Sequence, residues 1–168
     1  RSIMYLGLNT FIVLYFMNHF HESQNFSNLL LSVYYGIGAL FTLIGGKLGD
    51  KHGYRTFVRF GFLLAFPAAL ILAWTDSSIL GILCLIVLGA ALNLTYSPMV
   101  VLGQQYLPNR VGLASGITLG LAVSVGGITA PLLGKVGDMY GLETTFYVIA
   151  LITLIPLISS FTLPKPKK

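Results

Sequence analysis

Residues 78–103 read SILGILCLIVLGAALNLTYSPMVVLG, 26 positions without one charged side chain. A helix rises about 1.5 Å per residue and the hydrocarbon core of a bilayer is about 30 Å thick, so roughly 20 apolar residues span it. This run is long enough. It is also continuous rather than alternating, and only helices or closed barrels satisfy their backbone groups in lipid, so it reads as a helix. Similar stretches recur along the chain. Helices are expected at about 2–20, 27–48, 57–75, 78–103, 111–135 and 143–162.

Composition agrees. Hydrophobic residues make up 55% of the 168 and charged residues 9%, with a mean hydropathy of +0.83. A soluble domain carries about a quarter charged residues, so this surface is expected to face lipid. Cys84 is the single cysteine and lies in an apolar run, which leaves no internal disulfide and no thiol metal site. The chain begins with Arg1 rather than Met, which reads as a piece of a longer chain. The first apolar stretch has no small-residue cleavage site and is followed by further spans, so it is not a cleavable signal peptide.

The charges alternate from one connector to the next. One set of helix ends holds Arg1, then Lys47, Lys51, Arg55 and Arg59, then Arg110, then Lys165, Lys167 and Lys168. The opposite set holds Lys135 and four acids: Glu22, Asp76, Asp138 and Glu143. Nine Lys/Arg stand against one. The positive-inside rule then puts both termini in the cytoplasm of a multi-pass cell-membrane protein. This parity also explains the net charge of +5 without a nucleic-acid partner. Aromatic residues near the expected ends fit interfacial belts: Phe20, Phe26, Trp74 and Tyr140 outside, Tyr54, Tyr106 and Phe161 inside.

Two connectors repeat each other. Residues 46–53 are GKLGDKHG and residues 134–141 are GKVGDMYG. Each follows the second helix of a three-helix set and precedes the third, with an aromatic helix start at Phe57 or Phe146. Three is odd, so the second set is expected to be inverted in the membrane. The charges obey this: the first copy continues with Arg55 and Arg59, the second with Glu143 and no base.

Residues 46–55, Gly-Lys-Leu-Gly-Asp-Lys-His-Gly-Tyr-Arg, resemble the signature loop of major facilitator superfamily transporters. Gly46, Asp50, Lys51, Gly53 and Arg55 match that pattern; Tyr54 stands where the first of two closing bases is expected. A longer stretch, from Val101 through Pro108-Asn109-Arg110 and Gly126-Gly127 to Pro131 and Gly134, is similar to transporters of the fosmidomycin-resistance type. The resemblance implies an all-α integral membrane fold: six transmembrane helices as two inverted three-helix repeats, half of a twelve-helix major facilitator fold. The whole chain would be the C-terminal half, helices seven to twelve. Its partners would be the lipid bilayer, a missing N-terminal six-helix half or an equivalent unit, and a small-molecule substrate. Within the signature loop, Gly49 and Gly53 permit a tight turn. Asp50 would latch this half to a helix of the other on the cytoplasmic side. It could instead cap the next helix, or pair with Lys51 or Arg55.

Glycine stripes run along two spans: Gly38, Thr42, Gly45, Gly46 and Gly49 on the second, Gly116, Gly120, Gly127, Pro131 and Gly134 on the fifth. Small residues permit close helix packing in lipid. Gly127 and Pro131 are a candidate hinge, because proline interrupts the helix ladder.

Polar residues inside spans mark a candidate substrate path or interhelical hydrogen bonds. They are Tyr5 and Asn9 in the first span, and Asn93, Ser97 and Gln104 in the fourth. Asn93 and Gln104 point within about 20° of each other on an ideal helix. No Asp, Glu, Lys or Arg is expected deep in a span, so a proton-carrying group is expected in the absent half, or else coupling is absent.

His19, His21 and Glu22 lie together in an outer connector, but nothing else supports a metal site. No phosphate loop, catalytic triad or metalloprotease helix is present, and no cofactor is implied. Two readings follow: half of a secondary active exporter of small drug-like molecules or metabolites, proton-coupled when complete, or a non-transporting remnant or membrane assembly module.

Overall fold

The computed structural model describes residues 1–164. The expected solvated tail carrying Lys165, Lys167 and Lys168 lies outside the described residues. Among those described, the chain is helical throughout, with no strand. It forms six rods: α1 Ser2–His19, α2 Gln24–His52, α3 Tyr54–Trp74, α4 Ser78–Tyr106, α5 Pro108–Tyr140 and α6 Leu142–Thr162. Five of them, α2 to α6, are long and apolar enough to cross a membrane. α1 is 18 residues long and includes Asn9, Asn18 and His19, which lower its hydropathy.

Several helices extend further than the sequence predicts. α2 and α5 run through the polar repeat to a single glycine, where the connectors 47–55 and 137–144 are expected to be open. Gly53 and Gly141 make these turns at φ of +93° and +90°, a region side chains disfavour. Each turns its N–H back to the fourth residue of its motif at 2.9 Å: Gly53 to the Gly49 carbonyl, Gly141 to the Gly137 carbonyl. The two copies of the repeat therefore make the same turn.

The core lies where α1, α3, α4 and α6 meet. Tyr15, Phe16, Leu72, Leu88 and Phe146 are buried there, and the Tyr15 hydroxyl donates to the Leu72 carbonyl at 2.9 Å. α2 packs on α4, and α1 packs on α5. α4 is the most enclosed of the five long rods and α5 the least. Along α5, Leu121, Val123, Ile128 and Leu132 are all exposed.

α4 is broken by a turn at Thr95, which is fully buried and bonds its own chain, Oγ1 to the Leu92 carbonyl at 2.8 Å. Two glycines make room for that turn. Gly45 of α2 lies against the Leu94 carbonyl, and Gly61 of α3 lies against the Thr95 methyl. α5 has its own irregularity, a π-helical stretch over Gly116–Leu121. Extra-residue turns of this kind loosen the hydrogen-bond ladder and recur at functional places.

Candidate functional site

The signature loop is built on the last turns of α2. Asp50 is exposed and accepts a hydrogen bond from the Tyr54 hydroxyl across the Gly53 turn. The Tyr54 ring also fills the space beside Gly49, where an added Cβ would come within 2.7 Å of it. Gly53, not Asp50, is the cap residue of α3, and it makes no side-chain cap bond. Among the described residues, neither Lys51 nor Arg55 forms an ion pair with Asp50. Arg55 is half-buried, and its Nε has no hydrogen-bond partner there. Gly46 abuts Ser97 of α4, with an added Cβ at 3.0 Å from Oγ.

Of the five polar residues in the candidate path, Tyr5 and Asn93 line one cavity of about 490 Å³, together with Arg1, Tyr35, Thr42 and Tyr96. Asn93 is 7% exposed; its Nδ2 donates to the Gly89 carbonyl at 2.8 Å and rests on Gly38 of α2. Ser97 packs toward Gly46. Gln104 donates through Nε2 to the Ser115 hydroxyl of α5 at 3.0 Å. The turn at Thr95 and the ring of Pro98 lie between Asn93 and Gln104. Asn9 is half-buried, and its Oδ1 has no partner among the described residues.

Arg1 requires a correction to the charge map. Counted along the sequence, it belongs to the basic ends. In the structure its Nε donates to the Leu92 carbonyl at 3.1 Å, and its guanidinium lies over the rings of Tyr96 at 4.4 Å and Tyr5 at 5.4 Å. Leu92 is midway along α4. The next residue, Ser2, lies against Gly126, midway along α5, with an added Cβ at 2.8 Å from the Ser2 carbonyl oxygen. His19 fixes the far end of α1 beside Thr75, and Arg1 stands 18 residues from it, about 27 Å along a helix, against about 43 Å for the 29 residues of α4; Arg1 therefore stands part way along the bundle. The expectation that no charged residue lies deep among the helices is corrected with it.

At the opposite end, His19 joins three connectors. Its ring meets the Glu143 carboxylate at 2.8 Å and the Thr75 carbonyl at 3.0 Å, stacks on Tyr15 at 4.9 Å, and lies 3.8 Å from Asp76. Glu22 accepts a hydrogen bond from Ser78 at 2.5 Å. Among the described residues, no group of three His, Cys, Asp or Glu side chains is placed to hold a metal ion.

Gly127 and Pro131 lie within the regular helix Ala122–Tyr140, and both are exposed. Added Cβ atoms at Gly116, Gly120 and Gly127 would meet nothing within 4 Å. The α2 stripe differs: Gly38, Gly45, Gly46 and Gly49 are all packed against α4 or Tyr54. Sequence reasoning missed Arg1, Tyr35, Thr42 and Tyr96 as cavity residues. Tyr96 was within reach, since it lies three residues beyond Asn93 and shares its face.

A helical bundle with five apolar rods of spanning length is that of a multi-pass membrane protein. The model of the Major Facilitator Superfamily matches residues 2–168, and the chain belongs to that family. It is 32% identical to the uncharacterized MFS-type transporter YfnC of Bacillus subtilis (strain 168), covering 96% of this chain and 39% of that protein. It is also 32% identical to the fosmidomycin resistance protein of Escherichia coli (strain K12), covering 92% of this chain and 38% of that one. The chain thus spans about two fifths of these curated relatives. The fold is similar to a crystal structure of a peptide transporter, POT (E310Q mutant), in complex with alafosfalin. The TM-score is 0.86 at 20% identity, over 96% of this chain and 35% of that one.

Proposed function

We propose that this chain is the C-terminal six-helix half of a secondary active exporter of small drug-like molecules or metabolites, working by alternating access against an N-terminal half. The observation that carries the reading is the cavity lined by Tyr5, Asn93 and Arg1 at mid-depth, where secondary transporters bind their cargo. The relatives named as a transporter and as a resistance protein support it.

The inverted repeat, with α1 as its sixth span, is supported by the packing. Exchanging α1 with α4, α2 with α5 and α3 with α6 turns the pair α2–α4 into α5–α1, and α3–α4 into α6–α1; all four pairs are in contact. The exchange holds for single residues at an offset of 88. Gly7 packs on Ile149, and Thr95 packs on Gly61.

The exposed small-residue stripe of α5 is proposed to meet the other half, with Asp50 as the latch nearby and Gly127 and Pro131 as a hinge. The cytoplasmic side is proposed to be that of the basic connectors 47–55 and 104–110 and of the C-terminus; Arg1, part way along the bundle, marks neither side. Arg1 does not supply the proton carrier, because a guanidinium stays protonated in proteins. Coupling to protons therefore needs a group in the other half.

The test is accumulation of fluorescent drugs and labelled metabolites in cells expressing the full-length protein, with and without a protonophore. Accumulation should fall on expression and recover with the protonophore. Unchanged accumulation across the panel, with protein in the membrane, would count against export. The exposed face of α5 also suits a non-transporting assembly module. Cross-linking separates the two, since a stable pair of identical units without transport is what the module requires.

A further inference from the structure

We propose that Arg1 is an anion-recognition residue of the mid-depth cavity, and that its ligand is a small organic oxyanion: a phosphonate, phosphate or carboxylate on an apolar body. This rests on the transport reading only in placing the cavity on a substrate path.

A guanidinium among apolar helices is costly unless a partner compensates it. Among the described residues none of the acids does so: both ion pairs there belong to His19. The partner that the structure supplies is a backbone carbonyl, Leu92, bonded through Nε. That leaves the two terminal nitrogens as a planar fork. Tyr96 at 4.4 Å and Tyr5 at 5.4 Å hold the group by its faces, which fixes the fork without neutralising it. Such a fork matches the paired oxygens of a carboxylate or phosphonate, and a point charge would not.

The walls suit the same ligand. The cavity of about 490 Å³ has no acid in its lining, and Tyr5, Tyr35 and Tyr96 are among the residues that line it. Beside it, Tyr34 is 1% exposed and its hydroxyl has no partner among the described residues; its ring lies 6.1 Å from Tyr5. A second cavity of about 300 Å³ shares Arg1, Ser2 and Tyr96 and is otherwise walled mostly by apolar residues, among them Ile117 and Leu121 of the π-helical stretch of α5 and Val125 just beyond it. A charged head at Arg1 and an apolar body in this second space use both cavities at once.

The experiment uses the full-length protein in non-ionic detergent. Phenylglyoxal modifies arginines, and mass spectrometry follows Arg1 with the exposed Arg110 as internal control. Phenylphosphonate should slow modification of Arg1 about tenfold while leaving Arg110 alone, and phenyltrimethylammonium, with the same ring and opposite charge, should do nothing. Arg1→Lys should weaken phenylphosphonate binding about tenfold in a thermal-shift titration, and Arg1→Gln should abolish it. Equal protection by the cation, or none by either probe, would overturn the proposal. So would protection by phosphatidylglycerol alone, which would assign the site to a lipid headgroup. Wild-type binding by Arg1→Gln would do the same. If Arg1→Gln does not fold, the protection result on the unaltered protein decides. Protection of Arg1 in a protein that moves no substrate would sink the transport reading and keep this one; transport without protection would do the reverse.

Discussion

The Tyr54 hydroxyl donates to the Asp50 carboxylate across the Gly53 turn, while the Tyr54 ring closes over Gly49. Tyr54 is the position at which this loop departs from the signature pattern it resembles, so a local partner for Asp50 comes from the place where that pattern has a base. The bond lets charge and local structure be separated. Asp50→Asn keeps an acceptor for Tyr54 and removes the charge; Tyr54→Phe keeps the charge and the ring and removes the bond.

If Asp50 acts as a latch to the other half, Asp50→Asn should lower transport by the full-length protein severely at normal expression. Tyr54→Phe should then cost only about 1 kcal/mol of stability and little activity. Equal damage from the two variants would make the Asp50–Tyr54 bond itself the functional element. Normal transport by Asp50→Asn would remove the latch altogether.

The His19 ring ties α1 to the start of α6 through Glu143 and to the end of α3 through the Thr75 carbonyl. Glu143 is well exposed, so its pairing with His19 is expected to contribute about 0.2–1 kcal/mol. His19→Gln and Glu143→Gln, alone and together, should show that coupling in a double-mutant thermal-stability cycle. Strict additivity would show that His19 is held by Thr75 and Tyr15 alone.

The fold was legible because its cause is local. Spanning length and freedom from charge are read directly from residues 78–103, and the two glycine turns from the pair of repeated octets. What was not legible depends on how the rods are offset along one another. The identity of Arg1 does not reveal that it stands beside Leu92, because that follows from how α1 is offset along α4 and α5. The stripes of α2 and α5 look alike in sequence. Only their neighbours reveal that Gly45 is pressed on Leu94 while Gly120 faces open space. The angle between Asn93 and Gln104 likewise assumes a straight helix, and α4 turns at the buried Thr95 between them.

Orientation has its own test. With Cys84 replaced by alanine, single cysteines at His52 and Asp138 occupy the two copies of the repeat. If the repeat is inverted, an impermeant maleimide added outside intact cells should label position 138, and position 52 only after the cells are opened. Labelling of both from the same side would end the inverted-repeat reading, because equivalent turns would then share a face.

The two glycine stripes allow a contact with the proposed N-terminal half to be read from stability and activity together. Gly45 lies on the Leu94 carbonyl and Gly61 on the Thr95 methyl and Ala91 carbonyl, all within this chain. A Cβ at either place must push backbone apart at the buried turn of α4, so Gly45→Ala and Gly61→Ala should each cost about 1–3 kcal/mol. The loss should be seen in the chain by itself as well as in the full-length protein. Gly120 and Gly127 have nothing within 4 Å of an added Cβ in this chain. Gly120→Ala and Gly127→Ala should therefore leave it as stable as before, or slightly more so, since alanine is the better helix former by about 1 kcal/mol. In the full-length protein a bulkier pair, Gly120→Leu and Gly127→Leu, should lower transport at normal expression if this face of α5 packs on the N-terminal half. The readout is paired: melting temperature of the chain alone, and transport by the whole protein. Leucine variants that transport normally would turn this face of α5 toward lipid and require the other half to dock elsewhere.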